Sequence, residues 1–433
     1  MDYLVLKQIV VDQREELESI FKKERIIGRE FLNKYSPFLK SGLIKVITGP
    51  RRAGKSILCY QLLKNKSFAY INFDDENLAG LKTEDLNLVL KAFYEIYKEP
   101  EFIFLDEVQN IEKWELFVNR LKRQGFNLVV TGSNAKLLSK ELATHLTGRH
   151  YSLELYPFSF REFLEFKNVE YKNKPFTTKQ SAFLRRELES FIKFGGFPES
   201  LKESSPRRYL LSLYSTILTK DVILRHKIRK IKTLKEFSNY LISNFSCKVT
   251  FNKLKNIFKL KSTHTAQDYL HFLEEGYFIF LIERFSFKAK ERITAPRKIY
   301  AVDTGLINAI SFESSKNTGR LYENLVAVEL MRKKALFPNL EIYYWQDYSG
   351  KEVDFVLKEG LKITQLIQVC CDIGNYDTKM RRLKSLIRAY KTMKAQAGSL
   401  VVITSDYEGE EEFENKTIRF IPLWKWLLDI TMS

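Results

Sequence analysis

A glycine-rich segment that ends in lysine and serine is the strongest chemical signal in the sequence. It follows an apolar stretch that predicts a buried strand. In such a segment, glycines let backbone N–H groups face an anion, lysine adds a compact charge, and a serine hydroxyl suits Mg²⁺. A chance glycine-rich turn is the alternative. We predict that ATP phosphates are bound by Gly49, Pro50, Arg51, Arg52, Ala53, Gly54, Lys55, Ser56 and Ile57.

Two adjacent carboxylates end a second apolar stretch, in the segment "EFIFLDEVQ" at residues 101–109. In phosphoryl-transfer ATPases, an aspartate in this place holds Mg²⁺, together here with Ser56. A neighbouring glutamate can activate the attacking water. We therefore predict Asp106 as a metal-binding residue and Glu107 as the catalytic base. A strand that ends in solvated acids is the alternative.

Polar residues also follow a third apolar stretch, which ends in Thr131-Gly132-Ser133-Asn134. Ligands of open α/β sheets bind at the carboxyl ends of the strands. Asn134 or Ser133 is therefore a candidate sensor of the γ-phosphate, with a simple turn as the alternative. Arg149 lies just before a further predicted strand and could reach a neighbouring subunit's nucleotide. A surface or helix-capping arginine is the alternative for this residue.

These residues need a scaffold, and residues 43–165 alternate between strand-like and helix-like segments. Such alternation predicts a parallel sheet with helices on both faces. Residues 1–42 are predicted as a helical lead-in, in which Arg29 approaches the adenine side, and residues 166–230 as a helical lid. The predicted strands lie near 43–48, 67–73, 101–106, 127–131 and 150–155.

Residues 231–300 predict three helices and a β-hairpin, the outline of a winged helix-turn-helix. Ser262 is the predicted N-cap of the third helix, whose buried stripe would include Ala266 and Leu270. The hairpin is joined by a basic loop. A packing module without DNA contact is the alternative. The residues predicted to contact DNA are Lys259, Lys261, Thr263, His264, Gln267, Lys288, Lys290 and Arg292, with His271 on the same outward face.

The net charge of +18 is concentrated in one part of the chain. Residues 206–300 contain 20 Lys and Arg against 7 Asp and Glu, an excess of 13. A charge excess this local is typical of an anion-binding surface, and nucleic acid is the commonest large anion. Adaptation to high temperature would add lysines too, but would also raise the glutamate content. The charge therefore favours DNA, duplex or branched, as a partner.

The whole chain resembles a family of archaeal and bacterial AAA-type P-loop ATPases. The resemblance rests on "GPRRAGKS", "FIFLDEVQNIEKWE", "VVTGSNAKLLSKELATHLTGRH" and "ELYPFSFREFL", and on "FGGFPE", "KIYAVDTGL", "GRLYENLVAVEL" and "YYWQDYSGKEVDFVL" further along. It implies binding and hydrolysis of ATP. It also implies a first-sensor role for Asn134 and an arginine-finger role for Arg149.

The family's C-terminal domain looks distantly related to the PD-(D/E)XK nucleases, and residues 301–433 are expected to form it. Such a nuclease needs carboxylates for Mg²⁺ and a lysine near the attacking water. Glu323 and Asp354 match two carboxylates, but Gln368-Val369-Cys370 stands where Glu-x-Lys is expected. We predict a degenerate domain that does not cut DNA. Migration of the lysine to Lys351 or Lys358 is the alternative.

Composition excludes several other classes of protein. The four cysteines show no paired spacing, so neither a disulfide framework nor a zinc site is indicated. No apolar run is long enough to span a membrane, and the N-terminus does not resemble a signal peptide. We expect a cytoplasmic protein. The short acidic segment 408–414 is predicted as a turn.

The predicted fold is therefore a P-loop AAA-type parallel sheet with a helical lid, followed by a winged-helix domain and a nuclease-like α/β domain. The corresponding ranges are 1–42, 43–165, 166–230, 231–300 and 301–433. The leading hypothesis is an oligomeric ATPase, with ATP and Mg²⁺ as ligands, whose nucleotide state controls its grip on DNA. A nucleotide-dependent assembly switch with little hydrolysis and an ATP-dependent nuclease are the alternatives.

Overall fold

The computed structural model describes residues 1–23, 25–30, 32–133, 148–171, 175–311, 317–396 and 398–429, which fall into two compact units. The first unit is Met1–Pro157 and the second is Phe158–Ser433. This division precedes the predicted border after residue 165. The finer division of the chain into five parts stays a prediction. Among the described residues, no helix is both long and apolar enough to cross a membrane.

The first unit is built around five strands, and each predicted strand is present. The strands are β1 Ile44–Thr48, β2 Phe68–Asn72, β3 Phe102–Asp106, β4 Asn127–Gly132 and β5 His150–Glu154. The helices are α1 Tyr3–Lys23, α2 Leu32–Lys40, α3 Lys55–Leu63, α4 Leu86–Tyr97 and α5 Trp114–Arg123. Short 3₁₀ turns lie at Glu76–Leu78, Thr83–Asp85 and Val108–Asn110. The predicted helical lead-in corresponds to α1 and α2.

The five strands form one parallel sheet in the order β2-β3-β4-β1-β5. The strands β1 and β3 are buried along their whole length, because helices that are apolar on one face cover the sheet. In a parallel sheet all strands end at the same edge. The ends of β1, β3 and β4 are therefore neighbours, and this is the P-loop ATPase sheet that the alternation of elements predicts.

The second unit begins with helices. They are α6 Phe160–Phe166, α7 Thr178–Phe194 and α8 Pro206–Ile217, and α8 runs into a π-helical segment, Leu218–Leu224. Residues 231–301 then form α9 Ile231–Ser243, β6 Cys247–Val249, α10 Phe251–Ile257, α11 Thr263–Glu275, β7 Ile279–Ile282, α12 Ala289–Thr294 and β8 Arg297–Ala301. The three strands pair antiparallel in the order β6-β8-β7.

Local signals in this region predict the helices better than the strands. The side chain of Ser262 accepts a hydrogen bond from Thr265 N, as an N-cap does, and α11 buries Ala266 and Leu270. The strand β6 was not predicted, and the predicted basic loop contains the helix α12. Three-residue strands and six-residue helices carry too little periodicity to be read from sequence.

A six-stranded mixed sheet forms the rest of the second unit, in the order β13-β14-β12-β11-β10-β9. Its strands are β9 Leu340–Gln346, β10 Glu352–Glu359, β11 Lys362–Val369, β12 Leu400–Thr404, β13 Gly409–Phe413 and β14 Lys416–Pro422. The helices are α13 Thr304–Ile310, α14 Thr318–Leu336, α15 Tyr376–Met393 and α16 Leu423–Leu428. The predicted acidic turn is wrong, because most of that segment is the edge strand β13. Its Glu411 is paired with Lys379 at 2.7 Å.

Two segments that carry the family resemblance meet at Asp303. Gly195 caps the C-terminal end of helix α7, and a Cβ there would lie 2.1 Å from Asp303 Oδ1. The carboxylate accepts hydrogen bonds from Gly196 N at 2.7 Å and from Leu306 N at 3.1 Å, so it also caps α13. Burial raises the pKa of Asp303 to about 6. The glycine pair therefore has a packing role in this unit.

Candidate nucleotide site and carboxylate cluster

The predicted phosphate loop connects β1 to α3. It begins at Gly49, where a Cβ would lie 2.1 Å from Leu155 O, so only glycine fits this close approach. Gly54 stands at the N-cap of α3 with a left-handed backbone. The first N–H groups of a helix have no partner within the helix and carry the positive end of its dipole. The loop and the start of α3 therefore form an anion-binding edge beside the sheet.

Two arginines stabilise this loop. Arg29 is buried, and its guanidinium donates to Ala53 O at 2.9 Å and to Tyr156 O at 2.6 Å. Arg51 pairs with Asp74 at 2.7 Å. Arg29 thus fixes the loop through backbone carbonyl groups, a role that its sequence context did not indicate. Its approach to adenine stays a prediction.

Lys55 is the first residue of α3, and its side chain turns back over the loop. The ammonium lies 3.1 Å from Glu107 Oε1. It also donates to Gly49 O at 3.3 Å and to Pro50 O at 3.2 Å. The side chain is buried, so the charge is held by the loop and by the acidic end of β3 together. The structure brings the predicted lysine and the predicted base into contact.

Asp106 ends β3 in a fully buried position among hydroxyl groups. The hydroxyls of Thr131 and Tyr70 donate to its two oxygens, the latter at 3.3 Å, and Ser56 also hydrogen-bonds to it. Burial raises the pKa of Asp106 to about 6, and the neighbouring charge of Glu107 adds to this. The hydroxyl donors oppose the shift without cancelling it.

Glu107 follows with a left-handed backbone, φ 49°, which turns its side chain toward Lys55. Its own N–H donates to Thr131 Oγ1 at 3.0 Å, and Gln109 Nε2 donates to Glu107 Oε2 at 2.6 Å. Burial alone would raise the pKa of Glu107, but the charges of Lys55 and Arg51 lower it to about 2. The carboxylate is therefore ionised, and its two oxygens are held by Lys55 and Gln109.

Ser56 and Asp106 are suited to a magnesium ion. Both offer oxygen atoms, the donor type that Mg²⁺ prefers, and their mutual hydrogen bond shows that those oxygens face one point. Cation binding would also favour the ionised form of a carboxyl group whose burial penalises its charge. The residues present fit the metal that the phosphate loop implies.

The remaining predicted residues of this site have different outcomes. Ser133 is buried at the end of β4 and its hydroxyl accepts from Gln109 Nε2 at 3.2 Å. Asn134 lies outside the described residues, so its sensor role stays a prediction. Arg149 is exposed just before β5 and donates to Asn119 Oδ1 at 3.2 Å. Its role across a subunit boundary also stays a prediction.

The predicted DNA-contacting residues are not equivalent in the second unit. Lys259, Lys261 and His264 are exposed around the start of α11, and Thr263 and Gln267 are partly exposed there. In the region of α12, Lys288 and Lys290 are exposed, whereas Arg292 interacts with Tyr343. His271 is half-exposed and lies 3.0 Å from Glu275.

Three of the four residues predicted for a degenerate nuclease site, Glu323, Asp354 and Gln368, lie together in a buried cluster, and their role as such a site stays a prediction. Glu323 of α14 and Asp354 of β10 both lie beside the ammonium of Lys298, at 2.9 Å and 3.1 Å. Gln368 Nε2 donates to Asp354 Oδ2 at 2.5 Å. Cys370 is buried, and its thiol donates to Asp372 O at 3.6 Å.

The buried lysine of this cluster is Lys298 of β8, which was not among the predicted residues. Lys358 forms an ion pair with Glu341. Burial would lower the pKa of Lys298, but the surrounding acidic groups, with Glu323 the strongest, raise it well above the usual value. Lys298 is therefore charged.

Sequence reasoning missed several residues at both places. At the first site these are Thr131 and Gln109. The available signal for Thr131 was its position at a strand end, and for Gln109 its position two residues after Glu107. At the second they are Lys298 and Glu352, whose oxygen Oε1 lies 2.6 Å from the Lys298 ammonium. Glu352 stands two residues before Asp354 on one strand, and alternation places both on one face.

Comparisons with known proteins agree with the first site. Residues 41–164 match the profile of an AAA domain, and residues 185–317 and 318–426 match two domains of unknown function, DUF8612 and DUF4143. The uncharacterized protein MJ1544 of Methanocaldococcus jannaschii is 37% identical over 98% of this chain and 95% of its own. An uncharacterized protein of Haemophilus influenzae is 28% identical over 92% of this chain and 98% of its own.

Among solved structures, a Walker-type ATPase of Pyrococcus abyssi aligns with 66% of this chain and 97% of its own, at 13% identity and a TM-score of 0.44.

Proposed function

The chain belongs to the same protein family as MJ1544 of Methanocaldococcus jannaschii, and we propose that it hydrolyses ATP with Mg²⁺ in order to change its hold on DNA. One observation carries the catalytic part of this proposal. Lys55, Ser56, Asp106 and Glu107 converge at the carboxyl edge of a parallel sheet within an AAA domain. The four residues supply the charge, the two metal-binding oxygens and the base that phosphoryl transfer to water requires.

In the proposed reaction, the N–H groups at the start of α3 and the ammonium of Lys55 hold the β- and γ-phosphates. Phosphate oxygens compete with Glu107 for Lys55, and a Glu107 freed from that ammonium has a higher pKa and becomes a stronger base. It accepts a proton from the water whose oxygen attacks the γ-phosphorus, while the bond from that phosphorus to the bridging oxygen of ADP breaks.

Other residues of the site keep this base in place. Thr131 contacts both the Asp106 carboxylate and the Glu107 backbone, so one hydroxyl fixes the two acids relative to each other. Gln109 orients the Glu107 carboxylate and is itself bound to Ser133. Ser56 and Asp106 would hold Mg²⁺, which neutralises phosphate charge when it is bound.

For the DNA part, we interpret residues 231–301 as a winged helix. The helices α9, α10 and α11 and the strand order β6-β8-β7 support this interpretation, with α11 as the helix that enters a groove. Lys259 and Lys261 are exposed at its start, and Lys288 and Lys290 are exposed between β7 and β8. Some of the regional charge excess is internal, because Lys298 is buried.

We further propose that Arg149 acts as an arginine finger in a homo-oligomer, where its exposure before β5 would let it reach a neighbouring nucleotide. The order α14, β9, β10, β11, α15, β12 supports a nuclease-like fold for the C-terminal part. We propose that this part has lost cleavage and that the protein acts in the cytoplasm.

ATP turnover with and without duplex, forked and single-stranded DNA tests the proposal. We expect turnover in the parent chain and in Lys64→Ala, which changes an exposed lysine at the C-terminal end of α3, and none in Lys55→Ala. Equal ATP affinity and turnover in all three chains would contradict the site.

DNA binding needs its own comparison. Replacing Lys259 and Lys261 together by Ala should weaken duplex binding and reduce the slope of log K against log salt by about 2, since each phosphate contact contributes about 0.9. The matched control replaces Lys232 and Lys235, exposed lysines of α9, in the same way. Equal slopes for both pairs would remove the α11 region from the DNA contact.

A further inference from the structure

One buried ammonium collects three carboxylates in the second unit. Lys298 Nζ lies 2.6 Å from Glu352 Oε1, 2.9 Å from Glu323 Oε1 and 3.1 Å from Asp354 Oδ1, and Lys298 is only 2% exposed. A lysine ammonium has three N–H donors and no acceptor. The number of oxygen atoms around it therefore equals the number of donors, as in a site built for this cation.

The second carboxylate oxygens of Asp354 and Glu352 accept hydrogen bonds as well. Asp354 Oδ2 accepts from Gln368 Nε2 at 2.5 Å and from Val369 N at 2.9 Å. Glu352 Oε2 accepts from Lys248 Nζ at 2.8 Å. Gln368 thus works as a donor. A glutamate in its place would be one more acceptor beside Asp354 and would remove a hydrogen bond.

The two lysines of this cluster occupy directly opposite positions on neighbouring strands. In the register of β6 and β8, Lys248 faces Lys298. Like charges directly opposite each other destabilise a sheet. Here Glu352 lies between them and binds one ammonium with each oxygen. The lysine pair is therefore explained by its contact with the carboxylates of the six-stranded sheet, which offset the repulsion within the three-stranded sheet.

We propose that Lys298 is a built-in cation that fills the site of Glu323, Glu352 and Asp354, so that this site binds a strand of its own chain in place of a divalent metal ion. The site joins β8 to α14 and β10. It serves as a fixed joint between the winged-helix part and the nuclease-like part.

The charges around the joint disfavour a metal ion. A divalent ion would need the oxygen atoms that Lys298 already holds. It would also stand near Lys248 and near Arg382, whose NH1 lies 3.7 Å from Asp354 Oδ1. Three carboxyl groups face three cations, and burial raises the pKa of one of them, Glu323, to about 7, so the cluster has no excess of negative charge without a metal. Access for a metal would require β8 to withdraw.

Binding of Mn²⁺ without nucleotide tests this joint directly, by electron paramagnetic resonance on the full chain. All proteins carry Asp106→Asn, which removes the magnesium site of the first unit from the measurement. When Lys298 is intact, we expect no Mn²⁺ binding that depends on Asp354. The same result is expected for the control variant Lys362→Met, which replaces an exposed lysine of β11. Lys298→Met should gain one Mn²⁺ per chain, and adding Asp354→Asn should abolish it.

Two results of that experiment would overturn the proposal. One is Mn²⁺ binding that is present with Lys298 intact and is lost in Asp354→Asn. The other is a folded Lys298→Met that gains no Mn²⁺. Failure of ATP turnover would leave both results unaffected, so the joint and the proposed ATPase are tested separately.

A second measurement covers the case in which Lys298→Met folds poorly. Combining it with Glu352→Gln leaves two carboxylates facing Lys248 and Arg382, which restores the balance of charge. We expect the double variant to unfold at a higher urea concentration than Lys298→Met alone. If the stability losses of Lys298→Met and Glu352→Gln simply add in the double variant, as they do for independent residues, the ammonium is not the counter-ion of the cluster.

Discussion

Asp106 has two properties that conflict, and replacing it by asparagine separates them. The carboxylate is placed to hold a metal ion with Ser56, yet it is fully buried next to the charge of Glu107. Asp106→Asn keeps the shape of the side chain and an oxygen that can accept from Thr131 or Tyr70. The substitution removes the buried charge and one of the two acceptor oxygens, and because the charge is the larger cost it should stabilise the protein while it abolishes metal-dependent turnover.

The size of the effect follows from the pKa of Asp106, which is raised from 3.8 to about 6. One pKa unit corresponds to about 1.4 kcal/mol, so the ionised carboxylate costs about 3 kcal/mol of folding free energy. Between these two values the folded chain binds more protons than the unfolded chain. Stability therefore falls as the pH rises through that window, and the full cost is present above it.

We expect Asp106→Asn to exceed the parent chain in stability by about 1–3 kcal/mol near neutral pH, with part of the gain lost to the poorer amide contacts. The difference should vanish below about pH 4, where both side chains are neutral. Urea unfolding near neutral pH and below pH 4 measures this difference in stability. The transition to use is the one that ATP with Mg²⁺ shifts in the parent chain, because ligand binding identifies it as the unfolding of the first unit.

The control is Glu84→Gln, which removes a carboxylate whose side chain is 78% exposed, and it should change stability little. An asparagine variant that is less stable than the parent near neutral pH would refute the reasoning. A gain that is the same at both pH values would refute it too, because the effect would then not come from ionisation.

Three further predictions concern turnover and packing. Glu107→Gln should bind ATP but hydrolyse it about 10²–10⁴-fold more slowly, because general-base help is lost; single-turnover assays measure this, and unchanged turnover would move the base elsewhere. Arg149→Ala should lower turnover without lowering ATP affinity, and mixing it with Lys55→Ala should restore some activity, unless the protein stays monomeric with ATP. Gly195→Ala should lower the free energy of unfolding, measured in urea, by about 3–5 kcal/mol. The backbone at φ 76° and ψ −168° suits only glycine, and the new Cβ would displace Asp303 from its N–H donors. A loss below about 1 kcal/mol would contradict this packing role.

Local patterns in the sequence predicted most of the first unit. The strands β2, β3 and β4 are short apolar runs that end in a glycine, an acid or a polar residue, and each run and its end are adjacent in sequence. Asp106 and Glu107 were therefore found from the end of β3 alone. Ser262 was found in the same way, since an N-cap side chain and the N–H group that donates to it lie within one turn of helix.

Contacts between distant segments explain what the sequence did not reveal. Lys298 lies in a strand that alternation predicts, but its partners follow 25, 54 and 56 residues later, and no local pattern links them. Its charge was therefore attributed to a DNA-binding surface. The strand β13 was missed because it is a polar edge strand, in which an acidic residue gains from a lysine far away in sequence.

The internal ammonium of Lys298 also limits which sequences can descend from this one. Loss of the lysine leaves three buried carboxylates with too little positive charge, and loss of one carboxylate leaves cationic charge in excess; either single change removes one partner of a buried pair. Replacement of lysine and carboxylate together avoids that penalty. The cluster should therefore change in descendants by paired substitutions more readily than by single ones.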